Sequence, residues 1–97
     1  MKDFVITKKV NEIMYSLMMK ISQFFEGYSV VSDTNQNPHT FVEIYVTQIS
    51  LKEYEFILEE FGQYFSGVAE NSFIIPRKNT AHERMSIIIH LEKSSED

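Results

Sequence analysis

The sequence predicts an α+β fold in which two helices lie on one face of a four-stranded antiparallel sheet. Two stretches carry apolar residues at the i, i+3, i+4, i+7 spacing of a helix that buries one face. Each is followed by two strand-like stretches, and the similar segments SQFFEG at 22–27 and GQYFSG at 62–67 close the two helical stretches. The 97 residues form one domain, 1–97, because about 100 residues is a common domain size.

A helix-strand-strand unit is predicted to occur twice. When the chain is shifted by forty residues, its apolar positions coincide in the pairs Met14/Tyr54, Leu17/Ile57, Met18/Leu58, Ile21/Phe61, Phe25/Phe65 and Gly27/Gly67. Two unrelated amphipathic helices that end in glycine would also align in this way. The match therefore predicts a duplicated structural pattern and leaves common ancestry open.

The second helix is predicted to span 51–66. Ser50 and Glu53 have the spacing of a capping box, in which each side chain bonds the other residue's backbone N–H. Gly67 can adopt the left-handed conformation that ends many helices.

The first helix is predicted to span 8–26, with Thr7 as its cap and Gly27 as its stop. The segment FVI before it could add a strand or extend this helix, and both alternatives stay open.

Four strands are predicted at 28–33, 40–47, 68–76 and 84–91. In TFVEIYVT and MSIIIHL, alternate residues face opposite sides of the sheet, so Val42, Ile44 and Val46 should face the helices. Polar, turn-rich segments join the strands of each pair, and the tail 92–97 is expected to be frayed.

This order resembles a permuted ferredoxin-like fold. The doubled helix-strand-strand order is similar to the periplasmic domains of type IV pilus and type II secretion inner-membrane assembly proteins. The resemblance covers most of the chain and rests on topology, without a family-specific motif. It implies a structural domain that associates with copies of itself, although those proteins carry a membrane span that this sequence lacks.

The composition narrows the classes of partner. The net charge is −5. The chain has no cysteine, which excludes a disulfide framework and a thiolate metal site. The basic residues cluster only at Arg77, Lys78 and Arg84, so direct nucleic-acid binding is disfavoured and a basic protein surface is allowed. No apolar run approaches the roughly 18 residues of a membrane span. We expect a cytoplasmic protein, although a domain cut from a membrane-anchored protein would look the same.

The second helix carries the first candidate binding surface. Phe56 falls opposite the apolar arc at 100° per residue, which predicts an exposed aromatic anchor in an acidic patch. The predicted partner-binding residues are Phe56, Glu53, Glu55, Glu59, Glu60 and Gln63. Single exposed apolar residues are also common on ordinary surfaces, and a loop or the FVI segment could cover this one.

The helix-free face of the sheet is the second candidate. The alternation places Phe41, Tyr45, Ile88 and His90 there, and such a patch is most simply covered by a second copy of the sheet. RNA stacking on these aromatic residues is a weaker alternative because the protein is acidic. On the first helix, Tyr15 and Met19 lie off the apolar arc and are interpreted as a broadened core face rather than a contact patch.

Catalytic signals are weak. The histidines lack metal-ligand spacing and no phosphate-binding loop or nucleophile motif is present, so we expect no metal, cofactor or enzymatic activity. Arg77 and His82 have an Arg-x4-His spacing that resembles HEPN-type ribonucleases, where a helix places both residues on one face. Here they lie in a polar loop between strands, which favours a coincidental match.

Two functional hypotheses follow. The first is a non-enzymatic, acidic protein-binding module, an inhibitor or immunity-type protein that masks a basic partner, such as a protein that handles nucleic acid. The second is a self-associating assembly domain that forms a homodimer through the helix-free face of its sheet.

Overall fold

The computed structural model describes residues 2–32, 40–77 and 84–91, with side chains described for 6–31, 40–77 and 84–91. The predicted α+β fold is confirmed. The elements are, in chain order, α1 (Lys2–Ile21), β1 (Phe25–Ser32), β2 (Thr40–Val46), α2 (Leu51–Gly62), β3 (Ser72–Arg77) and β4 (Arg84–Leu91). The predicted tail at 92–97 and the histidines His39 and His82 lie outside the described residues.

The four strands form one antiparallel sheet in the order β1-β2-β4-β3. The central strands β2 and β4 therefore come from different halves of the chain, while β1 and β3 are the edges. Two helices on a sheet of this kind are consistent with a small domain of ferredoxin-like type.

The core lies between the two helices and one face of the sheet. The inward residues of β2 alternate as predicted, because Val42, Ile44 and Val46 are each fully buried. They join residues of both helices and of β4 in a single cluster that contains Met14, Leu17, Ile57, Phe61, Ile87 and Ile89. Each such side chain contributes about 1.5–3 kcal/mol through removal from water, so this layer determines how the helices sit on the sheet.

The first helix differs from its prediction at both ends. It begins at Lys2, so the FVI segment extends α1 and Thr7 is an internal helical residue rather than a cap. It ends at Ile21 instead of 26, because the backbone carbonyl of Phe24 accepts a hydrogen bond of 2.9 Å from the N–H of Thr47. The chain thus joins the sheet early, and Gly27 lies within β1 rather than at the helix stop.

The start of the second helix is predicted correctly and its end is not. Ser50 caps α2, and the capping box with Glu53 is complete. The helix ends at Gly62 instead of 66, and a turn follows in which the N–H of Phe65 donates to the carbonyl of Phe61 at 3.0 Å. Gly67 has the expected left-handed conformation, with φ of 69°, but inside this turn. The third strand consequently starts at Ser72 rather than 68.

Candidate functional site

The second helix lies over the β3 side of the sheet. The hydroxyl groups of Tyr54 in α2 and Ser72 in β3 are hydrogen-bonded at 2.8 Å. On the opposite flank of α2, the ammonium of Lys20 in α1 lies 4.9 Å from the centroid of the Phe56 ring. One flank of α2 therefore faces α1, and the other faces outward above β3.

Phe56 is less exposed than its position on the helix predicts. Its side chain is half-buried and packs against the core cluster, and Lys20 covers part of its ring. The helical-wheel expectation of an aromatic residue that points away from the protein is thus corrected. The reason is tertiary, since α1 packs along the flank of α2 on which Phe56 lies.

The remaining predicted residues on α2 have different surroundings. The carboxylate of Glu53 accepts hydrogen bonds of 3.0 Å from both the N–H and the hydroxyl of Ser50, so it serves the helix start. Gln63 is the exposed residue that caps the helix C-terminus, and Glu60 is half-buried. Glu55 and Glu59 are both exposed.

Glu55 and Glu59 border an apolar groove of about 490 Å³. The helix side of the groove is formed by positions 55, 58, 59 and 62, which share one face of α2 because they follow the i, i+3, i+4, i+7 spacing. The other wall is the turn after the helix, including Phe65 and Val68. The groove lining thus combines apolar side chains with two acidic residues.

Gly62 keeps one part of this groove open. A Cβ atom built on Gly62 would meet no atom within 4 Å, so the missing side chain leaves free space. Sequence reasoning missed the groove because it continued the helix to 66, which would have removed the turn that forms the wall. The signal available was the glycine at the start of GQYFSG, which stands where the helix ends.

The adjacent edge strand β3 is apolar and exposed on both of its faces. Phe73, Ile74 and Ile75 are 47%, 37% and 39% exposed. Ile74 is the register partner of Ile87 and so lies on the helix side of the sheet, whereas Phe73 and Ile75 lie on the helix-free side. Among residues 2–32, 40–77 and 84–91, the only strand that pairs with β3 is β4.

The helix-free face carries a row of rings across three strands. The centroid of the His90 ring lies 5.4 Å from that of Phe41 in β2 and 6.1 Å from that of Phe73 in β3. Phe41, Tyr45 and His90 are half-buried, so three of the four predicted residues are partly accessible.

Ile88, the fourth predicted residue of this face, is only 6% exposed although it points away from the helices. Ser86 on the same face is fully buried, and its hydroxyl has no hydrogen-bond partner within the part of the chain that the structure describes. Neighbouring side chains cover the middle of this face. The expectation of an exposed Ile88 is therefore corrected, and the face is less open than the alternation alone predicts.

The basic cluster lies at one end of the sheet and is paired with an acid. Glu26 forms ion pairs with both Arg77 and Arg84, the second with an Arg84 Nη1 to Glu26 Oε2 distance of 3.2 Å. The Arg77 guanidinium also lies 5.2 Å from the Tyr45 ring centroid and donates to the carbonyl of Val46. Arg77 is thus held in β3 by several contacts, whereas Lys78 and His82 lie outside the described residues.

The outer face of α1 carries a separate apolar patch. Tyr15 and Met19 are 79% and 82% exposed, one helical turn apart. Their interpretation as a broadened core face is wrong, because both side chains are largely exposed. Met18, which the periodicity placed in the apolar arc, is also partly exposed beside them.

Within the described residues, no group of three or more histidine and acidic side chains is placed to hold a metal ion. None of the helices in those residues has the length and apolar character needed to cross a membrane.

The chain was also compared with known proteins. Models of protein families, curated proteins and solved structures gave no match to it.

Proposed function

We propose that this protein is a non-enzymatic protein-binding domain that holds a basic segment of another protein on the acidic flank of α2, the side of the helix that carries Glu55 and Glu59. The observation that carries the proposal is the apolar groove of about 490 Å³ bordered by Glu55 and Glu59. Leu58 and Phe65 in this groove offer apolar surface to the aliphatic stem of a lysine or arginine, whose charged head would reach the carboxylates.

Within the part of the chain that the structure describes, the two carboxylates have no cationic partner. Glu55 and Glu59 are one helical turn apart, and neither forms an ion pair with another described residue. Like charges at this spacing destabilise a helix by about 0.2–0.5 kcal/mol. A partner cation would relieve this repulsion, and the net charge of −5 would speed the encounter with a basic partner.

The open shape of the groove favours a protein segment over a small molecule. Small-molecule sites bury most of their ligand inside a concave pocket. This groove is instead open along one side of α2, and its wall at 65–69 lies only three residues before Ser72, the first residue of β3. An extended chain fits such a surface better than a compact ligand.

A selection of random peptides on the immobilised protein tests this proposal. We expect the recovered peptides to be enriched in lysine or arginine and to lose binding to the double variant Glu55→Gln/Glu59→Gln. The matched control is Glu12→Gln/Glu43→Gln, which removes the same charge from α1 and from the helix-free face. Peptides without basic residues, or equal binding to both double variants, would contradict the proposal.

The second candidate is a self-associating assembly domain. It is favoured by the row of Phe41, His90 and Phe73 rings on the helix-free face and by the 47% exposure of Phe73. A dimer formed through this face would dissociate in Tyr45→Glu or Phe73→Glu when its mass is measured by light scattering. Ile88→Glu is not a suitable variant, because a charge at a side chain only 6% exposed would destabilise the fold itself.

A further inference from the structure

We propose that the partner segment binds as an added strand along the free edge of β3, with its basic side chains directed toward Glu55 and Glu59. This inference rests on the proposed function and specifies how the segment is held. The segment is predicted to alternate basic residues with aliphatic ones over about five to seven residues, the length of β3.

Within the described residues, no strand pairs with the outer edge of β3. Natural edge strands are usually blunted by charges, proline, bulges or covering elements, because their free backbone groups can pair with another chain, and β3 carries two of these features, Pro76 and Arg77, only at its C-terminal end. Residues 72–75 of β3 carry neither a charge nor a proline, and the pairing of β3 with β4 runs without a register shift from Ser72 to Arg77. The strand is therefore regular along its length, and its side chains are apolar and exposed on both faces.

Pro76 indicates which backbone groups are available. Proline has no N–H, and within a sheet it is found on edge strands with its nitrogen facing away from the neighbouring strand. The backbone groups of alternate residues point the same way, so Ser72 and Ile74 direct their N–H and C=O groups outward together with the C=O of Pro76. Three carbonyls and two N–H groups can thus bond an added strand.

The flank of α2 that carries Tyr54 lies above β3, with Glu55 about 100° and Glu59 about 140° from Tyr54 around the helix. Tyr54 bonds Ser72, while Leu51, Glu55 and Leu58 all lie within about 100° of Tyr54 around the helix. Leu51 is 71% exposed, which is unusual for a leucine beside an apolar core. An added strand would cover Ile74 and Leu51 on the helix side and Phe73 and Ile75 on the other.

The charge pattern of the segment follows from strand geometry. In an antiparallel pair, a residue that exchanges both hydrogen bonds with Ile74 has its side chain on the same face as Ile74. That face is the helix side, where Glu55 and Glu59 lie. The residues that bond β3 through their backbone are therefore the basic ones, and the residues between them are aliphatic and meet Phe73 and Ile75.

Three synthetic peptides test this arrangement. The first is acetyl-Thr-Lys-Val-Lys-Val-Lys-Thr-amide, and the other two carry N-methyl groups on either all lysines or all valines. Methylation removes the N–H of those residues without changing charge or side chains. We expect the N-methyl-lysine peptide to bind at least about tenfold more weakly than the unmodified one, because up to three hydrogen bonds are lost. The N-methyl-valine peptide should keep its affinity within about threefold.

Amide hydrogen exchange gives an independent readout. Binding of the unmodified peptide should slow exchange at Ile74, whose N–H is directed outward. Phe73 and Ile75 serve as internal controls, because their N–H groups already face β4.

The outcomes separate this inference from the proposed function. If all three peptides bind the protein with equal affinity and none binds the Glu55→Gln/Glu59→Gln variant, strand addition is overturned. The groove bordered by Glu55 and Glu59 then remains as the binding site. Weaker binding of the N-methyl-valine peptide alone would support an added strand in the parallel orientation. Absence of binding by the unmodified peptide would overturn the inference while basic peptides recovered in the selection would still support the proposed function. Binding that the double variant does not alter would overturn both.

Discussion

Gly62 offers a test in which folding and binding should respond in opposite directions. It is the last residue of α2 and, unlike Gly67, it does not have a positive φ. Its Cβ position is open, with no atom within 4 Å. Alanine at this position would reduce the freedom of the unfolded chain and favour the helix, so Gly62→Ala should stabilise the protein by about 0.5–1 kcal/mol.

The assay is chemical denaturation followed by circular dichroism, together with a thermal scan. For a chain of this size the stabilisation corresponds to a rise in the melting temperature of roughly 2–8 °C. Gly67→Ala is the matched control, because its φ of 69° should make alanine cost about 1–2 kcal/mol. A Gly62→Ala variant that is destabilised by more than about 0.5 kcal/mol would refute the open-groove geometry.

The binding side of the same test uses a larger residue. Gly62→Leu should fill part of the groove beside Glu59 while the protein stays folded, and it should weaken binding of the Lys-Val peptide at least about tenfold. Unchanged affinity in a folded Gly62→Leu variant would show that the peptide does not occupy the groove.

Three further predictions concern stability and are measured by urea denaturation. Ser50→Ala should lower the free energy of unfolding by about 1 kcal/mol through loss of the capping box. A decrease below about 0.3 kcal/mol would contradict the capping role of Ser50. Ile87→Ala should lower the free energy of unfolding by about 2–5 kcal/mol because Ile87 is fully buried. Ile74→Ala, at the register partner of Ile87, should lower it clearly less because Ile74 is 37% exposed. Equal losses would contradict the assignment of β3 as an open edge. Phe56→Ala should cost about 1–3 kcal/mol because its ring packs on the core, and a neutral effect would restore the interpretation of an exposed anchor.

The features that the sequence predicted well depend on short-range chemistry. The capping box at Ser50 and Glu53 involves residues three positions apart, and the alternation of Val42, Ile44 and Val46 reflects strand geometry alone. Each of these patterns has few structural solutions, so it could be identified without knowledge of the rest of the fold.

The features that the sequence misplaced depend on contacts across the fold. α1 ends early because Phe24 bonds Thr47, a residue from the far end of the next hairpin. Phe56 is half-buried because α1 packs beside it, and Lys20 could not be placed there from helical spacing. Ile88 is covered by side chains of neighbouring strands, which the alternation within β4 does not reveal.

The candidate site was therefore only partly predictable. Glu55 and Glu59 were predicted as part of the acidic patch around Phe56, and in the structure both line the groove. The groove itself arises from the early end of the helix at Gly62, and the exposure of Ile74 arises from the position of β3 at the sheet edge. Strand order is a property of the assembled sheet, so the edge could not be assigned from the sequence of β3.

The location of the binding site is tested most directly by titration of the ¹⁵N-labelled protein with the unmodified Lys-Val peptide, followed by NMR. We expect chemical-shift changes concentrated at Glu55, Leu58, Glu59 and Ile74, and their loss in the Glu55→Gln/Glu59→Gln variant. Changes confined to the helix-free face around Phe41 and His90, or to Tyr15 and Met19 on α1, would contradict the claim that the acidic flank of α2 and the edge of β3 form the binding site.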